Sequence, residues 1–289
     1  MILVSGASGK TGSAVLHALA RKNVPARALV HRDDQIEAAR AAGAADVMRG
    51  DLGSPADLES AMAGVEKVYH ICPNMHPDEL AIAMRVVAAA KKMGVRQFVY
   101  HSVLHPQIEG MPHHWNKMRV EEYLFTCGLP FTILQPCAYM QNISAYLPAV
   151  IREGIYAVPY APETRISIVD LEDVAAAAAR VLSEPGHEGA IYELAGPQPL
   201  SQAEVAAVLE QVLSRPVRAQ AVALDQWIEN AKRGGMAAYM LETLVKMFIY
   251  YEQNGFSGNS RVLEWVLERP ATTFETFARR LVSGENTHG

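Results

Sequence analysis

The amino-terminal stretch Met1-Ile2-Leu3-Val4-Ser5-Gly6-Ala7-Ser8-Gly9-Lys10-Thr11-Gly12 runs straight from an apolar segment through three glycines into a helical pattern. Ile2, Leu3 and Val4 suit a strand buried on both faces, and Val15, Leu16 and Leu19 fall at helical spacing further on. Glycines between such a strand and such a helix mark the phosphate-binding turn of a dinucleotide fold. A side chain at Gly6 would obstruct the turn, one near Gly9 would hold the backbone off a pyrophosphate, and Gly12 lets helix and strand pack closely. Gly6, Ser8, Gly9, Lys10, Thr11 and Gly12 are therefore the first cofactor-binding candidates, with backbone amides and the positive end of the helix dipole facing the phosphates. The Gly-x-x-Gly-x-x-Gly spacing differs from the GxGxxG of standard dehydrogenases. Gly9-Lys10-Thr11 also matches the end of the triphosphate loop GxxxxGK[ST], but that loop requires glycine where Val4 stands.

The chain has 289 residues, half of them hydrophobic, with 26 basic and 31 acidic residues and a net charge of −5. This length can bury one large α/β unit, alone or with a smaller appendage. Without a basic excess or long charge runs, nucleic acid is not an expected partner. Cys72, Cys127 and Cys137 are an odd set without a CxxC pair, which argues against a disulfide framework or structural zinc and for buried thiols in a reducing, cytoplasmic compartment. No basic leader precedes the first strand and no apolar run approaches about 18 residues, so neither a signal peptide nor a membrane span is expected.

Strand-like runs at Ala26–Val30, Asp46–Met48, Val68–Ile71, Phe98–Tyr100 and Phe131–Leu134 alternate with helical stretches near 34–42, 55–63, 78–93 and 113–126. This alternation predicts βαβ units and a doubly wound parallel sheet, with ligands at the carboxyl ends of the strands. Val174–Leu182 reads as a helix begun by the polar run Asp170–Asp173, and Ala190–Leu194 as a further strand. Ser201, with Glu204 three residues on, opens a helix to Leu213 through a capping box. Beyond about residue 197 helical signals dominate, through Trp227, Leu241–Tyr251 and Phe274–Leu281. The expected organisation is a Rossmann-like dinucleotide-binding domain over 1–150, with 165–196 returning to the sheet, and a smaller, mostly helical substrate region over 197–289. Gly284–Gly289 is expected to fray.

About twenty residues past Gly12 the second strand ends in Val30-His31-Arg32, where a site selective for NAD would carry an acidic residue. Arg32 instead favours a 2′-phosphate, which points to NADP(H) with NAD(H) still open; Asp33 and Asp34 can partly neutralise it, and a solvated surface role is the alternative. In Gly50-Asp51-Leu52 the Asp51 carboxylate can accept from an adenine amino group and a backbone amide can donate to the ring, or the pair can serve as a turn. Cys72 and Pro73, after the fourth strand, belong beside the ribose and nicotinamide.

Taken together, Gly6–Gly12, Gly50-Asp51-Leu52, Gly128–Pro136 with Asn142, Asp173-Val174-Ala175, and Gly186–Gly189 leading into Tyr192–Gly196 resemble the NmrA-like branch of atypical short-chain dehydrogenase/reductases over nearly the whole chain. Within it, the last stretch is most similar to NADPH:quinone oxidoreductases. The resemblance implies a Rossmann-like fold that binds NADP(H), Pro136 included among its cofactor neighbours, and a helical carboxyl-terminal region. The branch contains both reductases and dinucleotide-sensing regulators, so chemistry must be argued from the site.

Short-chain dehydrogenases use a serine after the fifth strand and a Tyr-x-x-x-Lys pair on the next helix. Here Ser102 matches the serine and Lys117 the lysine, while His113 stands at the tyrosine position. Positions 113, 117, 120 and 124 form one helical stripe, which points His113 and Lys117 at the protein body. Imidazole is not a phenol, so His113 either orients or protonates an acceptor or merely begins the helix after Pro112; Lys117 either reaches the cofactor or pairs with Glu121. Tyr139, Trp115 and Asn142 are substrate candidates, with Met140 and Tyr146 beside them. His101, His105, His113 and His114 form no HExxH-type pair, so no metal is expected. The reading that follows is an NADPH-dependent reductase of a flat conjugated acceptor such as a quinone. A non-catalytic NADP(H) sensor acting through a protein partner, and an enone, imine or carbonyl reductase with His113 as proton donor, are the alternatives. Neither a membrane nor nucleic acid is a partner in any of them, and a homodimer is left open.

Overall fold

A computed structural model describes residues 1–284. In chain order the elements are β1 (Ile2–Val4), α1 (Lys10–Arg21), β2 (Ala26–Val30), α2 (Ile36–Ala41), β3 (Asp46–Arg49), α3 (Pro55–Met62), β4 (Lys67–His70), α4 (Glu79–Lys92), β5 (Gln97–His101), α5 (Pro112–Thr126) and β6 (Phe131–Pro136). There follow β7 (Ala138–Tyr139), α6 (Leu147–Glu153), β8 (Ile155–Val158), β9 (Arg165–Val169), α7 (Leu171–Ser183), β10 (Ile191–Leu194), β11 (Pro199–Ser201), α8 (Gln202–Leu213), β12 (Arg218–Ala221) and α9 (Leu224–Arg233). The chain finishes with α10 (Ala238–Asn254), α11 (Ser260–Leu267) and α12 (Phe274–Ser283). The expected fraying falls mainly on residues 285–289, outside the described residues.

Seven strands make one parallel sheet in the order β10-β6-β5-β4-β1-β2-β3. Strand order reverses between β1 and β4, which opens a crevice at their carboxyl ends. Side chains alternate across the sheet as strand geometry requires. Leu3, Val68, Phe98 and Ile133 face α3, α4 and α5, packing on Leu58, Val86, Val87, Val120 and Leu124. Val4, Tyr69, Val99 and Leu134 face the other way, onto α1 and α7. The small side chains Ala175, Ala177, Ala178 and Ala179 are all buried there and let α7 lie close against its neighbours. The doubly wound α/β fold expected from the alternation is thus observed.

A second, smaller core gathers Met140, Ile143, Val150, Tyr156, Leu200, Val205, Leu209, Phe274 and Phe277. It draws on stretches far apart in sequence, held partly by the three-stranded sheet β11-β9-β7 and the pair β12-β8. These small sheets were not expected from the sequence: β7 has two residues, and Arg218-Ala219-Gln220-Ala221 carries no apolar alternation. The capping box of α8 is present, with Ser201 Oγ accepting from Glu204 N at 3.1 Å and Glu204 Oε2 accepting from Ser201 N at 2.7 Å. Asp170 caps α7 by accepting from Glu172 N at 3.1 Å, and it also accepts from Gln141 Nε2 at 2.8 Å and pairs with Arg280 of α12. This one buried carboxylate ties the small core to the large sheet. No helix among the described residues is long and apolar enough to cross a membrane.

At the β1–α1 turn Gly6 adopts φ +61°, the left-handed conformation that glycine enters freely. Helix α1 then passes so close that a Cβ on Gly12 would lie 2.7 Å from Ala7 Cα and closer still to the Gly6 carbonyl oxygen. Backbone cannot rotate out of the way, so Gly12→Ala should destabilise the protein by about 1–3 kcal/mol. Urea unfolding of the two proteins measures the difference; an unchanged midpoint would contradict the packing described.

Candidate functional site

A cavity of about 1170 Å³ lies over the carboxyl ends of β1, β4, β5 and β6. Its floor is the glycine turn. Helix α1 follows Gly9 with no side-chain cap and no acidic residue in its first turn. Its first amides therefore have neither an intrahelical acceptor nor a capping oxygen, which is the donor set an anionic phosphate takes up. Gly6, Ser8, Gly9, Lys10, Thr11 and Gly12 all line this cavity. His31 after β2, Asp51 and Leu52 after β3, Cys72 and Pro73 after β4, and Pro136 at the end of β6 continue the wall.

Asp51 and the nearby Arg32 differ in detail from free ligand groups. Asp51 Oδ1 accepts from Gly53 N at 2.7 Å, so the carboxylate already shapes its own turn. Arg32 stands off the wall: its guanidinium, 62% exposed, is bonded to Asp34 at 3.0 and 3.3 Å. The neighbouring carboxylate that the sequence offers as a neutralising charge is the one that holds it.

At the other end of the cavity Ser102, His113 and Lys117 come together on its wall. Lys117 is buried, and its partner is not Glu121, the alternative its helical spacing offers, but Glu79 at the start of α4. Lys117 Nζ donates to Glu79 Oε1 at 2.6 Å and to the His101 carbonyl at 2.9 Å, and Tyr100 Oη donates to the same carboxylate at 2.9 Å. Glu121 is instead the acceptor for Ser102 Oγ and, at 3.0 and 2.9 Å, for Gln135 Nε2. The Ser102 proton is thereby turned toward Glu121, whose carboxyl burial pushes above its ordinary range.

Burial and the Lys117 ammonium hold His113 well below its ordinary value. His113 is accordingly neutral, and its Nδ1, 3.8 Å from Glu79 Oε2, makes no ion pair. Both of those atoms lack a hydrogen-bond partner among the described residues. The same two causes, burial first, push His70 and His101 down to about 3. Cys72 is pushed up to about 12 by burial and by Glu79, which leaves an inert thiol beside the cofactor wall.

Tyr139 and Asn142 line the cavity; Trp115 does not, because it leaves α5 at an angle away from the stripe that carries His113 and Lys117. Tyr139 Oη sits 2.7 Å from His101 Nε2 and receives a bond from Thr11 Oγ1 at 3.3 Å. Beyond it the wall is supplied by the smaller core and by α9 and α10. Tyr160, Trp227, Phe248, Tyr251 and Phe256 form a continuous series of edge-to-face and tilted ring contacts. From residue 138 onward no described lining side chain carries a charge. Glu79, the His101 ring and these aromatic residues are functional candidates that the sequence reading passed over. Glu79 is an acidic residue in a first helical turn, and nothing in the sequence places it opposite Lys117.

A Rossmann-type sheet with an uncapped glycine turn at its switch point defines a dinucleotide-binding protein. The model of the NmrA-like family matches residues 1–278, and the chain belongs to that family. It is 33% identical to the NAD(P)H azoreductase of Xenophilus azovorans, over 96% of this chain and 97% of the relative. It superposes with a TM-score of 0.86 on an NADPH-dependent quinone oxidoreductase of Escherichia coli, solved in complex with NADPH, at 30% identity over 98% of this chain and all of the other. A Citrobacter triphenylmethane reductase superposes with a TM-score of 0.86 at 25% identity, over 97% and 98% of the two chains.

Glu79→Gln should leave the Lys117 ammonium buried without a counter-charge and cost about 3–5 kcal/mol of stability, with most of it recovered in the Glu79→Gln/Lys117→Met double variant. Chemical denaturation of both variants distinguishes this from a simple loss of packing. The buried histidines predict a pH dependence. His70 and His101 at about 3 and His114 at about 4 stay neutral in the folded protein while the unfolded chain takes up protons below about pH 6.5. Stability should therefore be full above about pH 6.5 and fall as pH drops toward 4, by up to about 1.4 kcal/mol per pH unit for each histidine. Urea unfolding across that range gives the slope, and a flat profile would contradict it.

Proposed function

We propose that the protein is an NADPH-dependent reductase that delivers hydride to a flat conjugated acceptor of the quinone or azo type. The observation that carries this reading is a single cavity that begins at an anion cradle and ends in an uncharged aromatic chamber. The cradle fits the dinucleotide: the first amides of α1 have no capping side chain, and the Gly6 and Gly12 backbones leave no room for side chains. The azo, quinone and triphenylmethane specificities of the relatives support a conjugated acceptor.

When bound, NADPH supplies the hydride. The glycine turn would hold the pyrophosphate, Asp51 and Leu52 the adenine, and Cys72, Pro73 and Pro136 the ribose and nicotinamide side. Lys117, fixed by Glu79, places a positive charge beside that end of the cavity and stabilises negative charge there. His113, neutral, serves as a hydrogen-bonding group and not as an acid. Tyr139 and Asn142, with the aromatic wall, orient the acceptor and exclude water. Residues 1–150 with 165–196 form the cofactor half, and the described residues from 197 on complete the acceptor half. The buried free cysteines fit a reducing cytoplasm.

The test is NADPH oxidation by the purified protein against quinones and azo dyes, with NADPH and NADH compared on wild type and Arg32→Ala. Turnover is expected, and Arg32, swung from Asp34 onto the 2′-phosphate, should make the variant about tenfold weaker for NADPH and unchanged for NADH. NADPH binding without turnover on any acceptor would overturn the reductase in favour of the sensor, and equal losses for both cofactors would remove Arg32 from the site.

A further inference from the structure

A line of side chains runs from the buried sheet to the cavity wall, and counting its donors leaves one proton over. Tyr69 Oη lies 2.7 Å from His101 Nδ1, and His101 Nε2 lies 2.7 Å from Tyr139 Oη. Tyr69 is fully buried and does not line the cavity. Among the described residues its hydroxyl has no acceptor other than the His101 ring, and a buried hydroxyl that donates to nothing costs about 1–3 kcal/mol. Tyr69 therefore donates to Nδ1. A neutral imidazole carries one proton, so it resides on Nε2, which donates to Tyr139. Thr11 Oγ1 donates to the same phenol oxygen at 3.3 Å. Both lone pairs of Tyr139 are thus occupied, while its own O–H has no acceptor among the described residues, on a side chain that faces the cavity.

We infer that Tyr139 is the proton donor of the site, preoriented by Tyr69, His101 and Thr11, and that it acts on acceptors that develop negative charge on oxygen or nitrogen. The inference rests on the reductase reading and narrows its substrate class. A quinone that takes up a hydride, two electrons and one proton, from NADPH becomes a hydroquinone monoanion. The Tyr139 O–H proton completes the hydroquinone, and the phenolate left behind is held by His101 Nε2–H and Thr11 O–H until a solvent proton restores it. An azo group takes hydride on one nitrogen and the Tyr139 proton on the other, giving the hydrazine. A triarylmethyl cation differs: hydride at its central carbon yields a neutral product and no proton is consumed.

That difference supplies the experiment. Single-turnover reduction by NADPH-saturated wild type and Tyr139→Phe is followed with a quinone and with a cationic triarylmethane dye, alongside NADPH titration of both proteins. Tyr139→Phe should slow the quinone on the order of a hundredfold, slow the dye far less, and bind NADPH as wild type does. Equal slowing of both acceptors, or weakened NADPH binding, would overturn the inference, since the hydroxyl would then serve the cofactor. NMR of the ring nitrogens in the cofactor-free protein should find His101 protonated on Nε2. Protonation on Nδ1 would overturn the inference even if no acceptor turned over, a result that by itself would count against the reductase reading.

Discussion

One buried ammonium group organises the reactive end of this fold. Lys117 reaches from α5 beneath the end of β5, where Glu79 of α4 and the His101 carbonyl receive it. In so dry a place a charge without its partner would be untenable, so the pair locks α4, α5 and β5 together between the glycine turn and the aromatic wall of the cavity. The same charge keeps its surroundings neutral. Together with burial it holds His70, His101 and His113 unprotonated, and neutral imidazoles can pass hydrogen bonds in a fixed direction.

Fixed direction is what the missing family tyrosine would otherwise supply. His113, at the tyrosine position, is too strongly discharged by its surroundings to act as an acid. A phenol is nonetheless present in the cavity, Tyr139, brought from the segment after β6 and tied to the glycine turn through Thr11. The glycine turn and the aromatic wall are therefore not independent parts: one hydroxyl touches both. The smaller core closes over them through Asp170, which joins Gln141, the start of α7 and Arg280.

The large sheet was legible because its strands are local apolar runs and its helices local periodic patterns, each bounded by its own turn or cap. Ser201 and Glu204 could be paired from their spacing alone, as could His113 and Lys117 on one stripe. The small sheets were not legible, since β7, β9 and β11 become strands only by meeting one another across thirty or more residues of chain. Trp115 shows the limit of a composition argument: an aromatic residue two positions from the stripe looks like a pocket residue in sequence and leaves the helix on another side.

What the sequence by itself determined is the glycine turn, because Gly6 and Gly12 are demanded by backbone geometry within a dozen residues. Family membership, too, rests on motifs of that local kind. Only the tertiary structure decided which charges meet. Lys117 could pair with Glu121 by spacing, yet it faces Glu79, thirty-eight residues away. Arg32 could face a phosphate, yet rests on Asp34. Tyr139 could be simple lining, yet the bonds it receives from His101 and Thr11 orient its proton. Electrostatic and hydrogen-bond partners are set by distances between elements, and those distances exist only after the helices have packed on the sheet.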